Sequence, residues 1–269
     1  MTSNGKIKIL YIISSTGFSG AEKLLLDLIS KLDKNKFDIT TVCILNNKKL
    51  EDKFLERGYS IKFIIKNKNL FRFINKLYKF IKDNEFDIVH THLFGADVFG
   101  GIAAKRAGVK KIISTEHNIN ISEGKIKHFI KGVVLRKCFT NIIAISDSIH
   151  KYIKEKYKVM PERIIKISNG IDLSKVYLTD ILQGDVIKIG SIGRLTKQKG
   201  YDVLIKALPY LNFNFNVVIA GDGEEKNNLI NLSNKLKVGD KINFLGFIDN
   251  INSLLSNVDI FVIPSLWEG

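Results

Sequence analysis

At 269 residues, 45% hydrophobic and 26% charged, the chain can bury a full core and is long enough for two domains, while no apolar run approaches the roughly 18 to 20 residues of a spanning helix. The net charge of +15 sits in the first part: residues 1–180 hold 33 Lys+Arg against 18 Asp+Glu, and residues 181–269 hold nine of each. Such an excess fits phosphorylated small molecules, an anionic membrane surface or simply solubility in a Lys-, Ile- and Asn-rich chain, whereas no zinc-finger spacing, RNA-binding aromatic signature or Arg-rich tract points to nucleic acid.

The start, Met1-Thr2-Ser3-Asn4-Gly5-Lys6, passes into a strand without a signal-peptide pattern, so the expected location is cytoplasmic. Cys43 and Cys138 stand apart, without metal or redox spacing, and read as core residues. Strands are predicted at 7–14, 37–45, 60–65, 88–92, 112–116 and 142–146, separated by amphipathic stretches such as Leu70, Phe71, Ile74, Leu77, Tyr78 and Ile81. Strand-helix alternation of this kind makes a doubly wound parallel sheet, here six-stranded. A short strand at 164–167 leads through Asn169-Gly170-Ile171-Asp172 into a polar linker ending near Gly184. Four more strands, at 186–192, 215–220, 242–245 and 260–263, begin a second sheet of the same kind. The domains are accordingly 1–180, which includes the start of the linker, and 181–269.

Candidate ligand-binding residues fall at the carboxyl ends of these strands. Gly17-Phe18-Ser19-Gly20-Ala21-Glu22 is a glycine turn opening a helix, where backbone amides and the helix dipole can meet an anion. His90 and His92 lie two apart on one strand and therefore share a face; without further ligands at metal spacing they do not complete a zinc site, and one imidazole at the cleft with the other satisfied internally is the better use. His117 ends its strand beside a polar turn, where a neutral imidazole can hydrogen-bond a sugar hydroxyl or orient an acceptor; capping the next helix is the alternative.

From 121 to 139, Lys125, Lys127, Lys131, Arg136 and Lys137 alternate with apolar residues. An ordinary helix packed on its sheet explains most of the apolar positions, and Lys125, Lys127 and Lys131 are left as candidates for membrane or lipid-phosphate contact. The strongest local signal is Gly193-Arg194-Leu195-Thr196-Lys197-Gln198-Lys199-Gly200, a strand-to-helix loop in which Arg194 offers a planar fork and Lys199 a point charge to a diphosphate. Gly221 and Gly246, at later strand ends, can expose backbone to a base or ribose.

Taken in order, Gly17 to Glu22, His117-Asn118, Asn169 to Asp172, Gly193-Arg194 through Lys199-Gly200, Gly221-Asp222-Gly223 and Pro264 through Gly269 resemble glycosyltransferase family 4. The resemblance implies a GT-B architecture: two Rossmann-like domains, the first binding acceptor and the second a nucleotide-sugar. It implies transfer with retention of anomeric configuration, with no cofactor and no obligatory metal, from a UDP- or GDP-sugar to a lipid-linked or saccharide acceptor, as in bacterial surface-polysaccharide synthesis. Carried over by position, Arg194 and Lys199 bind the donor diphosphate, Gly20 sits by the donor phosphates or the acceptor, Gly221 lies at the donor, His117 contacts the transferred sugar, and Glu268 touches sugar hydroxyls as the first glutamate of a Glu, seven residues, Glu motif. The second glutamate would fall beyond Gly269, so the second domain is expected to be incomplete, with low solubility or stability as the consequence. Two other readings remain: a nucleotide-sugar epimerase on the same scaffold, for which acid and base carboxylates are not identified, and a non-catalytic fragment that binds membranes or partners.

Overall fold

The computed structural model describes residues 5–119, 124–171, 184–248 and 250–268. The chain divides into two units, one ending at Asn169 and the other running from Gly170 to Glu268. The sequence-based boundary at 180 falls within 172–183, outside the described residues, as does Asp172.

In the first unit, β1 (Ile7–Ile13), α1 (Gly20–Lys31), β2 (Phe37–Cys43), α2 (Lys48–Glu56), β3 (Lys62–Phe63), α3 (Leu70–Asn84) and β4 (Ile88–His92) are followed by a π-helical turn at Ala96–Gly100. Then come α4 (Gly101–Arg106), β5 (Lys111–Glu116), α5 (Lys125–Cys138), β6 (Asn141–Ala144), α6 (Asp147–Lys156) and β7 (Ile164–Lys166). The sheet order is β3-β2-β1-β4-β5-β6-β7, all parallel among these pairs, and helices cover both faces. It is therefore seven-stranded rather than six: Ile164 to Lys166 pair in register with Ile142 to Ala144, a pairing that a three-residue strand does not announce by periodicity.

Each face has its own core. Ile9, Tyr11 and Ile13 of β1 pack with Leu25, Leu26 and Ile29 of α1, whereas Leu10 and Ile12 face Ala96, Ala103 and Leu135 on the other side, as the two-residue period of a strand requires. The stripe expected on α3 holds at Ile74, Leu77, Tyr78 and Ile81, which are buried or packed on the core, but not at Leu70 and Phe71. Phe71 is 89% exposed, and Phe73, Leu77 and Ile81 carry the buried stripe of α3.

The second unit contains β8 (Ile187–Ile192), α7 (Tyr201–Ala207), β9 (Phe215–Ala220), α8 (Lys226–Lys235), β10 (Ile242–Gly246), α9 (Ile251–Leu255) and β11 (Ile260–Phe261). Its sheet order, β10-β9-β8-β11, is the start of the Rossmann order in which the chain winds outward one way and then reverses. Ile189, Val217 and Ile219 form its core with Leu204, Ile205 and Leu229 from the helices.

Candidate functional site

In the first unit the chemistry collects where β4 and β5 end. These strands are parallel, with His90 opposite Ile113 and His92 opposite Thr115. Same-face side chains one step further along therefore meet diagonally: His90 Nε2 lies 2.8 Å from Thr115 Oγ1, and His92 Nδ1 lies 2.9 Å from His117 Nε2. The rings of His90 and His92 stack at 4.5 Å, those of His92 and His117 at 5.2 Å, and Tyr11 closes the row at 5.2 Å from His90. Neither His90 nor His92 reaches the pocket, contrary to the sequence-based assignment of one to a cleft; both are buried, and only His117 lines it.

Burial favours the neutral imidazole throughout this row. It pushes His90 down to about 3, aided by the charge of His117. It also holds His92 well below the ordinary histidine range, with His90 and His117 adding to the effect. His117 falls to about 4: burial dominates, Asp97 and Glu22 oppose it, and Lys131 reinforces it.

The opposite face of the same two strands carries charge. Asp97, from the π-helical turn, accepts hydrogen bonds at Oδ1 from Thr91 Oγ1 (2.6 Å) and Ser114 Oγ (2.8 Å). Lys131 of α5 reaches both Asp97 Oδ2 at 3.0 Å and Glu116 Oε2 at 2.8 Å. Lys131 is only 2% exposed, which corrects its assignment as a membrane contact, although it also lines the pocket at this strand end. Its stem lies on the buried side of α5, and its ammonium is committed to two carboxylates. Burial alone would lower its pKa, but the charges of Glu116 and Asp97 outweigh that and raise it. The sequence reading missed Asp97 and Glu116 altogether.

A pocket of about 450 Å³ opens at this strand end. Ile44, Leu45, Phe94 and Phe99 supply apolar wall, His117 and Asn118 polar edge, and Lys66 and Lys127 positive charge. Leu93, which turns the chain out of β4 and also lines the pocket, has φ +72°, a left-handed conformation uncommon for a side chain branched at Cγ and often retained at ligand sites.

Gly20 begins α1, beside the loop after β1. Asn47 secures that loop by donating from Nδ2 to Gly17 O (2.7 Å) and Ser15 O (3.2 Å), while its Oδ1 caps α2 at Leu50 N. Glu22 accepts from both the amide and the hydroxyl of Ser19 at 2.8 Å. A Cβ on Gly20 would meet nothing within 4 Å, so no protein atom requires glycine there.

Along α5, Lys125 and Lys127 are exposed together with Ile126 (76%) and Phe129 (68%). The apolar residues of its first turns were expected on the sheet. Instead only the later part packs, through Val134 and Leu135.

In the second unit, β8 delivers Gly193 and Arg194 to a loop that is closed by Gly200 at φ +62°. Gly221, at φ +134°, lies so close to this loop that a Cβ there would stand 1.9 Å from Gly193 O; the side chain is excluded twice, by conformation and by space. Arg194 is exposed, and among the described residues its guanidinium has no hydrogen-bond or ion-pair partner. Lys199 Nζ contacts Glu268 Oε1, and Ser265 Oγ donates to the same oxygen. Burial would raise the Glu268 carboxyl, but those two hydrogen bonds and the charges of Lys199 and Arg194 bring it below its ordinary value. Backbone contacts fix the partners: Leu266 N donates to Gln198 O at 2.8 Å, and Gln198 Nε2 to Trp267 O at 3.1 Å. The sequence-predicted residues Arg194, Lys199, Gly221 and Glu268 thus belong to one set of adjoining loops.

Two Rossmann-like parallel sheets, one with a polar pocket and the other with a glycine-bounded cationic loop, define an α/β protein of the GT-B class. Residues 18–175 match the model of Glycosyltransferase Family 4, and residues 181–269 match that of Glycosyl transferases group 1. The chain belongs to glycosyltransferase family 4 and is a glycosyltransferase.

Among its relatives is the UDP-Gal:alpha-D-GlcNAc-diphosphoundecaprenol alpha-1,3-galactosyltransferase of Escherichia coli, 31% identical over all of this chain and 76% of the relative. The putative glycosyltransferase EpsF of Bacillus subtilis is 25% identical over the same shares. Anabaena HepE, solved in complex with UDP-glucose, has the same fold, with a TM-score of 0.84 at 20% identity over 96% of this chain and 74% of that one. No helix among the described residues is long and apolar enough to cross a membrane.

Proposed function

We propose that the protein transfers a sugar from a nucleoside-diphosphate-sugar to a lipid-linked diphosphate acceptor at an anionic membrane surface, with retention and without an obligatory metal. The observation that carries this reading is the exposed Arg194 guanidinium, without a hydrogen-bond or ion-pair partner among the described residues, on the same loop as Lys199, where Gly193, Gly200 and Gly221 let the backbone pack closely. Such a loop presents backbone and two cations to an anion, and it can neutralise a leaving diphosphate as charge develops. Glu268, held by Lys199, accepts hydrogen bonds from sugar hydroxyls in this reading.

In the reaction, the bond between the anomeric carbon and the diphosphate oxygen breaks, and the electron pair leaves with the nucleoside diphosphate. The acceptor hydroxyl attacks from the same face, and its proton passes to the departing diphosphate. Arg194 and Lys199 stabilise that group. The pocket of the first unit takes the acceptor's head, with apolar walls for its carbon skeleton and Lys66 and Lys127 for its phosphates. The E. coli relative, named for a UDP-sugar donor and a diphosphoundecaprenol acceptor, supports this pairing of substrates. So does a Campylobacter jejuni relative named for a diphospho-undecaprenol acceptor, 31% identical over 43% of this chain.

Nucleotide release from a panel of UDP- and GDP-sugars, measured with and without lipid extract, tests the chemistry. One donor is expected to release nucleotide in an acceptor-dependent way; an altered nucleotide-sugar with no free nucleotide would replace transfer with epimerisation. For the membrane part, sedimentation with phosphatidylglycerol vesicles is expected, with little binding to phosphatidylcholine and loss at high salt. Exchanging Lys125 and Lys127 for glutamate, or Ile126 and Phe129 for serine, should weaken binding at least tenfold, and unchanged binding would remove α5 from the interface.

A further inference from the structure

His92 is buried, has no ligand-facing surface, and would be silent in a survey of pocket residues. Its position nevertheless determines what His117 can do. A neutral imidazole has one N–H and one lone pair, so in the 2.9 Å contact between His92 Nδ1 and His117 Nε2 one ring donates and the other accepts.

The other nitrogen of His92 decides which. Its Nε2 is buried with no hydrogen-bond partner among the described residues. If His117 were the donor, His92 would carry its proton on Nε2 and leave a buried N–H without an acceptor. If His92 is the donor, only a lone pair is left unmatched, and orphaned buried N–H groups are the rarer of the two defects. The same assignment leaves His117 with its proton on Nδ1. That nitrogen has no partner among the described residues, and His117 lines the pocket.

We propose that His92 is a positioning residue: it donates from Nδ1 to His117 Nε2, fixes His117 as the Nδ1–H tautomer, and so makes His117 a hydrogen-bond donor to a ligand oxygen in the pocket. The proposal rests on the transfer reading for its consequence and on the imidazole row for its geometry. A sugar hydroxyl or ring oxygen is the class of acceptor such a donor selects. Because His92 donates to a lone pair that exists only in unprotonated His117, it also opposes protonation of His117, in the same direction as burial. Tyr11 and the stacked His90 hold the His92 ring in place. Groups bearing on His117 from the neighbouring elements are Asp97, Glu22 and Lys131.

The decisive measurement is the nitrogen spectrum of protein labelled with 15N-histidine, with His117 assigned by the loss of its signals in His117→Gln. His117 should show a protonated Nδ1 and a bare Nε2, with a titration midpoint of about 4. His92→Phe keeps a stacked ring and removes the donor; the midpoint is then expected to rise by on the order of one pH unit, with mixed tautomers. His92→Asn, whose amide N–H stands near the position of Nδ1, should restore the single tautomer. In turnover assays, His92→Phe should lower kcat about tenfold with little change in KM and shift the acid limb upward with the His117 midpoint. A proton on His117 Nε2 in the unaltered protein, or an unchanged tautomer in His92→Phe, overturns the proposal. If the tautomer is as expected but no donor is turned over, the transfer reading fails and the positioning of His117 stands.

Discussion

Lys131→Met should cost the first unit about 3–5 kcal/mol at pH 7, the usual penalty for removing one partner of a buried ion pair. Lys131 lies between Asp97 and Glu116, with all three side chains no more than 3% exposed. Without the ammonium, two carboxylates share an interior site in which the Thr91 and Ser114 hydroxyls donate to Asp97 and the Ser114 hydroxyl lies 3.4 Å from Glu116 Oε1. Adding Glu116→Gln should return more than half the lost stability, because the remaining Asp97 keeps its two hydroxyl donors. Urea unfolding followed by amide exchange in β4 and β5 reads the first unit separately. A loss below about 1 kcal/mol for Lys131→Met would mean that the three charges are not buried together.

Arg194→Ala and Lys199→Ala should each lower kcat/KM for the nucleotide-sugar by about 100- to 1,000-fold, the scale for deleting one preorganised group that meets charge in the transition state. Arg194→Lys should recover only a fraction, because an ammonium lacks the two-pronged match to phosphate oxygens. The double variant should lose less than the product of the single losses if both cations serve one diphosphate. Lys206→Ala is the control: that cation is exposed, pairs with Asp202 within α7, and should leave turnover unchanged. Glu268→Gln separates charge from shape, since it releases Lys199 while keeping a hydrogen-bonding side chain. Unaltered nucleotide release in both Arg194→Ala and Lys199→Ala would remove this loop from the donor site.

Much of this arrangement was legible in the chain. Alternating apolar runs and amphipathic stretches gave both parallel sheets, because a strand buried on two faces must be almost continuously apolar. His117 stood out because parallel strands place ligands at their carboxyl ends. Lys131 did not, although Val134, Leu135 and Cys138 recur with it at the spacing of one helical face. It was grouped with Lys125 and Lys127 as a membrane or lipid-phosphate candidate because its partners lie on other elements, 34 and 15 residues earlier in the sequence. Asp97 carried a signal of its own, a lone carboxylate within Phe94 to Ala104. The exposure of Ile126 and Phe129 was hidden for the opposite reason: their apolar character reads the same whether the helix turns them to a sheet or away from it.

Helix α5 carries Lys125 and Phe129 in its first turns and Lys131 immediately after, so about 9 Å of helix axis separates Lys125 from the ion triad at a rise of 1.5 Å per residue. If those first turns rest among lipid headgroups, Lys127 touches both the bilayer surface and the pocket that it lines. A lipid carrier would then have little travel to make: its diphosphate could stay near headgroup depth while the sugar beyond it enters the protein. The hydrocarbon tail would then never leave the membrane, and the helix would set the depth at which the reactive end is offered.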